Sequence, residues 1–105
     1  MKIKLENLIE ATKIYDEINA KCKSLGRVPF DDIKTLDEVK AKYNVTIAQC
    51  EIFSDVLKTQ HFQEKLRDAM VEVYNCALLD LKTQYLDNHE SSKYYLACEL
   101  EDSLV

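Results

Sequence analysis

Few residues in this chain are of a type that does chemistry, and they are widely spaced. His61 and His89 are the only imidazoles. Neither stands in an HExxH, ExxH or Cys–His arrangement that would bring ligands onto one metal ion. His61 and Glu64 would share a helix face, but two ligands do not make a site. Cys22, Cys50, Cys76 and Cys98 lie 22 to 28 residues apart with no CxxC pair. Zinc would need closer pairing or a fold that gathers them. Each sits on or beside an apolar stripe, so they read as buried, reduced thiols that behave as small hydrophobes. Glu72, Cys76 and Asp80 follow at four-residue steps along one side of a helix. A glycosidase or di-metal centre would need partner carboxylates from other helices, and no matching motif supplies them. That side reads instead as a boundary between core and solvent. The expectation is a protein that is not an enzyme and carries no cofactor and no metal.

Charge says more than motif. The chain has 14 Lys and Arg against 19 Asp and Glu, a net charge of −5. Residues 1–35 are nearly balanced, and so are residues 36–70. Residues 71–105 hold two lysines and seven acids, so the acidity of the whole chain sits in its last third. Binding to nucleic-acid backbone relies on clustered Lys and Arg. Here they are scattered, so direct nucleic-acid binding is disfavoured, and an anionic membrane surface likewise. No apolar run approaches the 18 residues of a spanning helix. The opening MKIKLENLIEATK is too broken by polar residues for a signal peptide. A cytoplasmic location is expected, and the sequon Asn44-Val45-Thr46 then has no meaning.

At 105 residues the chain reads as a single helical domain, residues 1–105. One Gly and one Pro argue against an all-β or loop-rich fold. The expected fold is all-α, a compact bundle of four to five helices. The longest pattern runs from Phe62 to Leu86, and the other segments look built to pack on it. Phe62, Leu66, Ala69, Met70, Val73, Tyr74, Ala77 and Leu81 form its apolar face, with Thr59 as cap. Leu78, Leu79 and Leu86 fall outside that stripe. They imply either a second neighbour within the fold or a second apolar surface for a dimer or partner.

The remaining elements follow from caps and breakers. Residues 3–25 make a first helix ended by Gly26. Arg27 to Asp32 form a loop with Pro29, and Asp31 and Asp32 are capping candidates. Thr35 and Glu38 make a capping box that would start a helix at Leu36. Thr46 and Gln49 make a second box, and Asn44 tolerates left-handed geometry, so residues 36–58 are one helix or two. A last helix runs from Lys93 to about Leu104, capped by Ser91 or Ser92. Lys93 early and acids late run against its dipole, which makes it dependent on docking and the most mobile element.

TLDEVKAKYNVTIAQCEIF resembles a helix-turn-helix over about 20 residues. Lys40 stands where that motif has a small residue. The second helix lacks Lys and Arg and carries Glu51 and Asp55, which does not suit a DNA groove. The leading expectation is a small acidic helical protein-binding module: an adaptor, regulator or inhibitor. As an inhibitor its acids could occupy the phosphate sites of a basic nucleic-acid-binding groove. The partner-binding residues are expected to be Tyr94, Tyr95, Glu99, Glu101 and Asp102, paired tyrosines beside acids being suited to recognition. A protein partner is expected, and a homodimer is allowed. The alternatives are a helix-turn-helix DNA-binding regulator, favoured if folding gathers the N-terminal lysines, and a small-ligand-binding helical bundle, favoured by a buried polar pocket containing His61.

Overall fold

The computed structural model describes residues 2–26, 33–65 and 70–104, with the side chains of residues 33–36 outside the description. The described residues form six helices: α1 Leu5–Ser24, α2 Ile33–Tyr43, α3 Ile47–Leu57, α4 Gln60–Lys65, α5 Met70–Asp87 and α6 Ser91–Ser103. The fold is an all-α bundle. Its radius of gyration, 13.7 Å, is close to the ~13 Å of a compact domain of this size.

Local chemistry sets most of the breaks. Gly26 has a φ of 69°, and its amide donates to the Lys23 carbonyl, closing α1 as a left-handed C′ residue. Asn44 takes a φ of 58° and separates α2 from α3, so residues 36–58 form two helices. The Thr46 hydroxyl accepts from the Gln49 amide while the Gln49 side chain accepts from the Thr46 amide, a complete capping box. Thr59 caps as expected, its hydroxyl accepting from the Phe62 amide, but the helix it opens is the short α4. Whether the Phe62–Leu86 pattern is one helix turns on residues 66–69, which lie outside the described residues.

Two starts differ from expectation. Helix α2 begins at Ile33, which places Thr35 inside the helix and not at its cap. Asp31 and Asp32, the other capping candidates, stand immediately ahead of that start but lie outside the described residues. Helix α6 begins at Ser91, which is therefore its first residue, and no side chain caps it. The reason is the turn that ends α5. The His89 amide donates to the Leu86 carbonyl and the Glu90 amide to the Tyr85 carbonyl, with His89 at a φ of 61°. This Schellman turn hands the chain into α6 at once, leaving no extended residue for a serine cap.

The hub is α3, and not the longer pattern after it. Helix α3 packs against α1, α4, α5 and α6, and buries Gln49, Cys50, Ile52, Phe53, Ser54 and Val56. Phe53 stacks on Tyr74 of α5 at 4.4 Å between ring centroids, and Phe62 of α4 closes on the same ring at 5.1 Å. Helices α5 and α6 form the other strongly packed pair. Ala97 and Leu100 of α6 are fully buried, as are Ala77 and Leu78 of α5. Leu78 thus belongs to the core, whereas Leu79 and Leu86 face solvent. Residue 3 lies beside residue 104: the Ile3 amide donates to the Ser103 carbonyl at 2.7 Å, and Ile3 and Leu104 form an isolated parallel bridge. No helix among the described residues is long and apolar enough to cross a membrane.

Candidate partner-binding face

The packing of α6 on α5 sorts the five residues singled out from the sequence. Core packing directs Ala97 and Leu100 inward. At about 100° per residue this turns Tyr95, Glu99 and Asp102 outward, and all three are exposed. Tyr95 is 69% exposed, the most of any large apolar residue described. Its ring meets that of Tyr94 edge-on at 5.5 Å. Tyr94 itself is half-buried and packs against the core. Glu101 also turns aside: its carboxylate pairs with the Lys82 ammonium of α5. That hydrogen bond is the main cause holding the Lys82 pKa above its ordinary value, against a smaller desolvation effect. Three of the five residues therefore share one outward stripe, and two join the α5–α6 seam.

The ion pairs leave the face acidic. Lys93, the other lysine of the last third, lies 3.8 Å from Glu90 and 3.9 Å from Glu51. These pairs offset the unfavourable placement of Lys93 at the start of α6. Glu72, Glu99 and Asp102 have no ion-pair partner among the described residues.

Apolar groups accompany the acids. Val71, Leu79 and Leu86 are 41%, 56% and 58% exposed on α5. Val71 and Leu79 line an open hollow of about 460 Å³ with Glu72, Asn75, Cys76 and Glu101. The sequence had set Leu79 and Leu86 apart from the main stripe. Nothing in it marked Val71, nor the pairing of Lys82 with Glu101, which depends on how α5 and α6 align.

Other polar groups are absorbed by the interior. Ser54 donates to Asp16 at 2.7 Å, tying α3 to α1. Tyr85 donates to Asp55 at 2.8 Å, tying α5 to α3. Burial first, and then the Asp55 contact, hold the Tyr85 phenol well above its ordinary pKa. Burial likewise pushes the Cys50 thiol up to about 11, with the Thr12 hydroxyl opposing. Cys50, Cys76 and Cys98 are free thiols, and Cys22 is buried. His61 faces Asp80 at 3.8 Å on the surface. A polar depression of about 380 Å³ lies beside Tyr85, lined by Asp55, Lys58, Glu90 and Lys93 among others, and His61 is not part of it. Among the described residues no group of three or more His, Cys, Asp or Glu could hold a metal ion.

The helix-turn-helix resemblance has a structural counterpart in α2, the turn at Asn44 and α3. Its second helix, however, is the buried hub, and Glu51 is its one exposed side chain. Comparison with protein-family models, with curated proteins and with solved structures gave no match.

Proposed function

We propose that this chain is a small acidic helical module that binds another protein, and that α6 carries the recognition stripe. The observation behind this reading is Tyr95, a large ring left in solvent and braced by Tyr94, with Glu99 and Asp102, unpaired among the described residues, on the same stripe. Exposed aromatic rings are common anchors of protein interfaces. Unpaired carboxylates beside one steer a basic partner and reject an acidic one. An adaptor, a regulator, or an inhibitor seated in a basic nucleic-acid-binding groove would all use the stripe in this way. Free thiols at positions 50, 76 and 98 suit a reducing compartment such as the cytoplasm.

The test is affinity capture from native lysate with the chain and a Tyr95→Ser/Glu99→Lys/Asp102→Lys variant. Glu101 stays unchanged because it holds Lys82. The expected result is one stoichiometric protein, lost with the variant, whose far-UV circular dichroism matches that of the parent. Recovery of nucleic acid in its place, or no stoichiometric protein with either chain, would overturn the reading.

A further inference from the structure

We propose that the outward face of α5, together with the adjoining edge of α6, is a groove for a basic amphipathic helix of the partner. The inference rests on the protein-binding reading above and assigns it a second surface and a partner chemistry.

Four of the five exposed large apolar residues described lie on α5 and α6: Val71, Leu79, Leu86 and Tyr95. The three on α5 fall within about 80° of one another around the helix and along ~22 Å of its axis. That is the length of a helix of about 15 residues. A third helix laid along this face would cover all three side chains and fill the hollow beside Val71 and Leu79. Amphipathic helices recognise such grooves through apolar anchors at three- and four-residue steps.

Charge selects the occupant. Both lysines of this third of the chain are held in ion pairs, Lys82 by Glu101 and Lys93 by Glu90 and Glu51. Glu72, Glu99 and Asp102 are exposed and unpaired among the described residues. These three carboxylates lie on the helices that carry the apolar side chains, with Asn75 and the paired Lys82 between those side chains around α5, and Lys4 beside Met70 at the Val71 end. A second copy docked face to face would set this acid-bearing patch against itself, since a two-fold interface uses the same patch on both copies. Like charges so placed oppose association. Lys or Arg flanking the apolar face of a foreign helix would complement them.

The probe is a synthetic 18-residue helical peptide with Leu on one face, Lys on the other and a single Trp. The chain has no Trp, so peptide fluorescence reports binding without background. The expected result is saturable one-to-one binding, weakened about tenfold or more by Leu79→Gln, as for an interface anchor. Glu72→Lys/Glu99→Lys/Asp102→Lys should weaken it at least as much. Glu10→Lys/Asp37→Lys/Glu38→Lys, the same charge change elsewhere, should weaken it much less. A scrambled peptide of equal composition should bind poorly.

Absence of saturable binding, or equal loss with the distant charge variant, overturns the groove. So does a dimer in sedimentation that Leu79→Gln abolishes, which would assign the face to a second copy. A native partner captured through Tyr95 but indifferent to Leu79→Gln overturns the groove and leaves the protein-binding reading standing. Because Leu79 is exposed, its replacement is expected to leave the fold intact, which circular dichroism checks.

Discussion

Lys82 and Glu101 are joined across the α5–α6 seam, their side chains only 16% and 33% exposed. The pair ties α5 to α6 and neutralises the lysine nearest the proposed docking surface. Because it is partly buried, loss of one partner leaves the other poorly solvated. Lys82→Met should cost about 1–3 kcal/mol in urea denaturation, the range for leaving a buried polar partner unsatisfied. Lys82→Met/Glu101→Leu should recover most of that loss, because replacing both charges removes the orphan.

Stability should fall in mild alkali, and Cys50 should be the first cause. Its thiol has an ordinary pKa of 9.0, raised to about 11 in the fold by burial. Between those values the unfolded chain releases a proton that the folded chain keeps. The unfolded state then binds fewer protons, so stability declines as pH rises. The contribution is intact below pH 9 and amounts to about 1 kcal/mol lost by pH 10. Denaturation at pH 8 and pH 10 should show a smaller decline in Cys50→Ala. At higher pH the buried phenol of Tyr74, pushed up to about 12, continues the trend in both chains.

Asn44 and His89, the two non-glycine residues in left-handed geometry among the described residues, should respond in opposite ways to substitution. His89→Gly should raise stability by about 0.5–1 kcal/mol, since a ring-bearing residue is replaced by the one that adopts this geometry freely. Asn44→Val should lower it by about 1–2 kcal/mol, because Asn tolerates the conformation and a β-branched residue does not. Thermal unfolding of the two variants reads both signs.

Thr46→Ala should cost about 1 kcal/mol, the usual worth of an N-cap side chain. The effect should exceed that typical value, toward about 2 kcal/mol, because α3 is the hub. Loosening its first turn disturbs Cys50, which is fully buried one turn later. Chemical denaturation measures it.

Caps and breakers were legible in the sequence wherever they act on neighbouring residues. Gly26, Asn44 and the Thr46–Gln49 box each did what their residue types imply. Thr35 and Ser91 did not, because each competes with another local start: α2 begins earlier, and the Schellman turn consumes the residues before α6. The hub role of α3 was hidden for a different reason. Periodicity marks one buried face, but α3 also buries Ile52 off that stripe and the polar Gln49 and Ser54 within it. A helix covered on several sides gives a weak periodic signal. Tyr95, Glu99 and Asp102, singled out by residue type alone, face solvent together. Glu101 was claimed by Lys82, 19 residues away, a pairing that no local pattern encodes. Leu79 and Leu86 were visible as misfits to a stripe, and the fold turned those misfits into surface.

The bridge between Ile3 and Leu104 has a mechanical consequence. Residues nearly the whole chain apart emerge side by side, joined at the Ile3 amide and the Ser103 carbonyl. Tension applied between positions 3 and 104 falls first on that junction and is not shared in shear along parallel helices. Once it parts, α1 and α6 are peeled from the bundle, each from its own end, and the load meets the packing around α3 only afterwards. The fold should therefore be soft to extension between positions 3 and 104, however well its core resists heat.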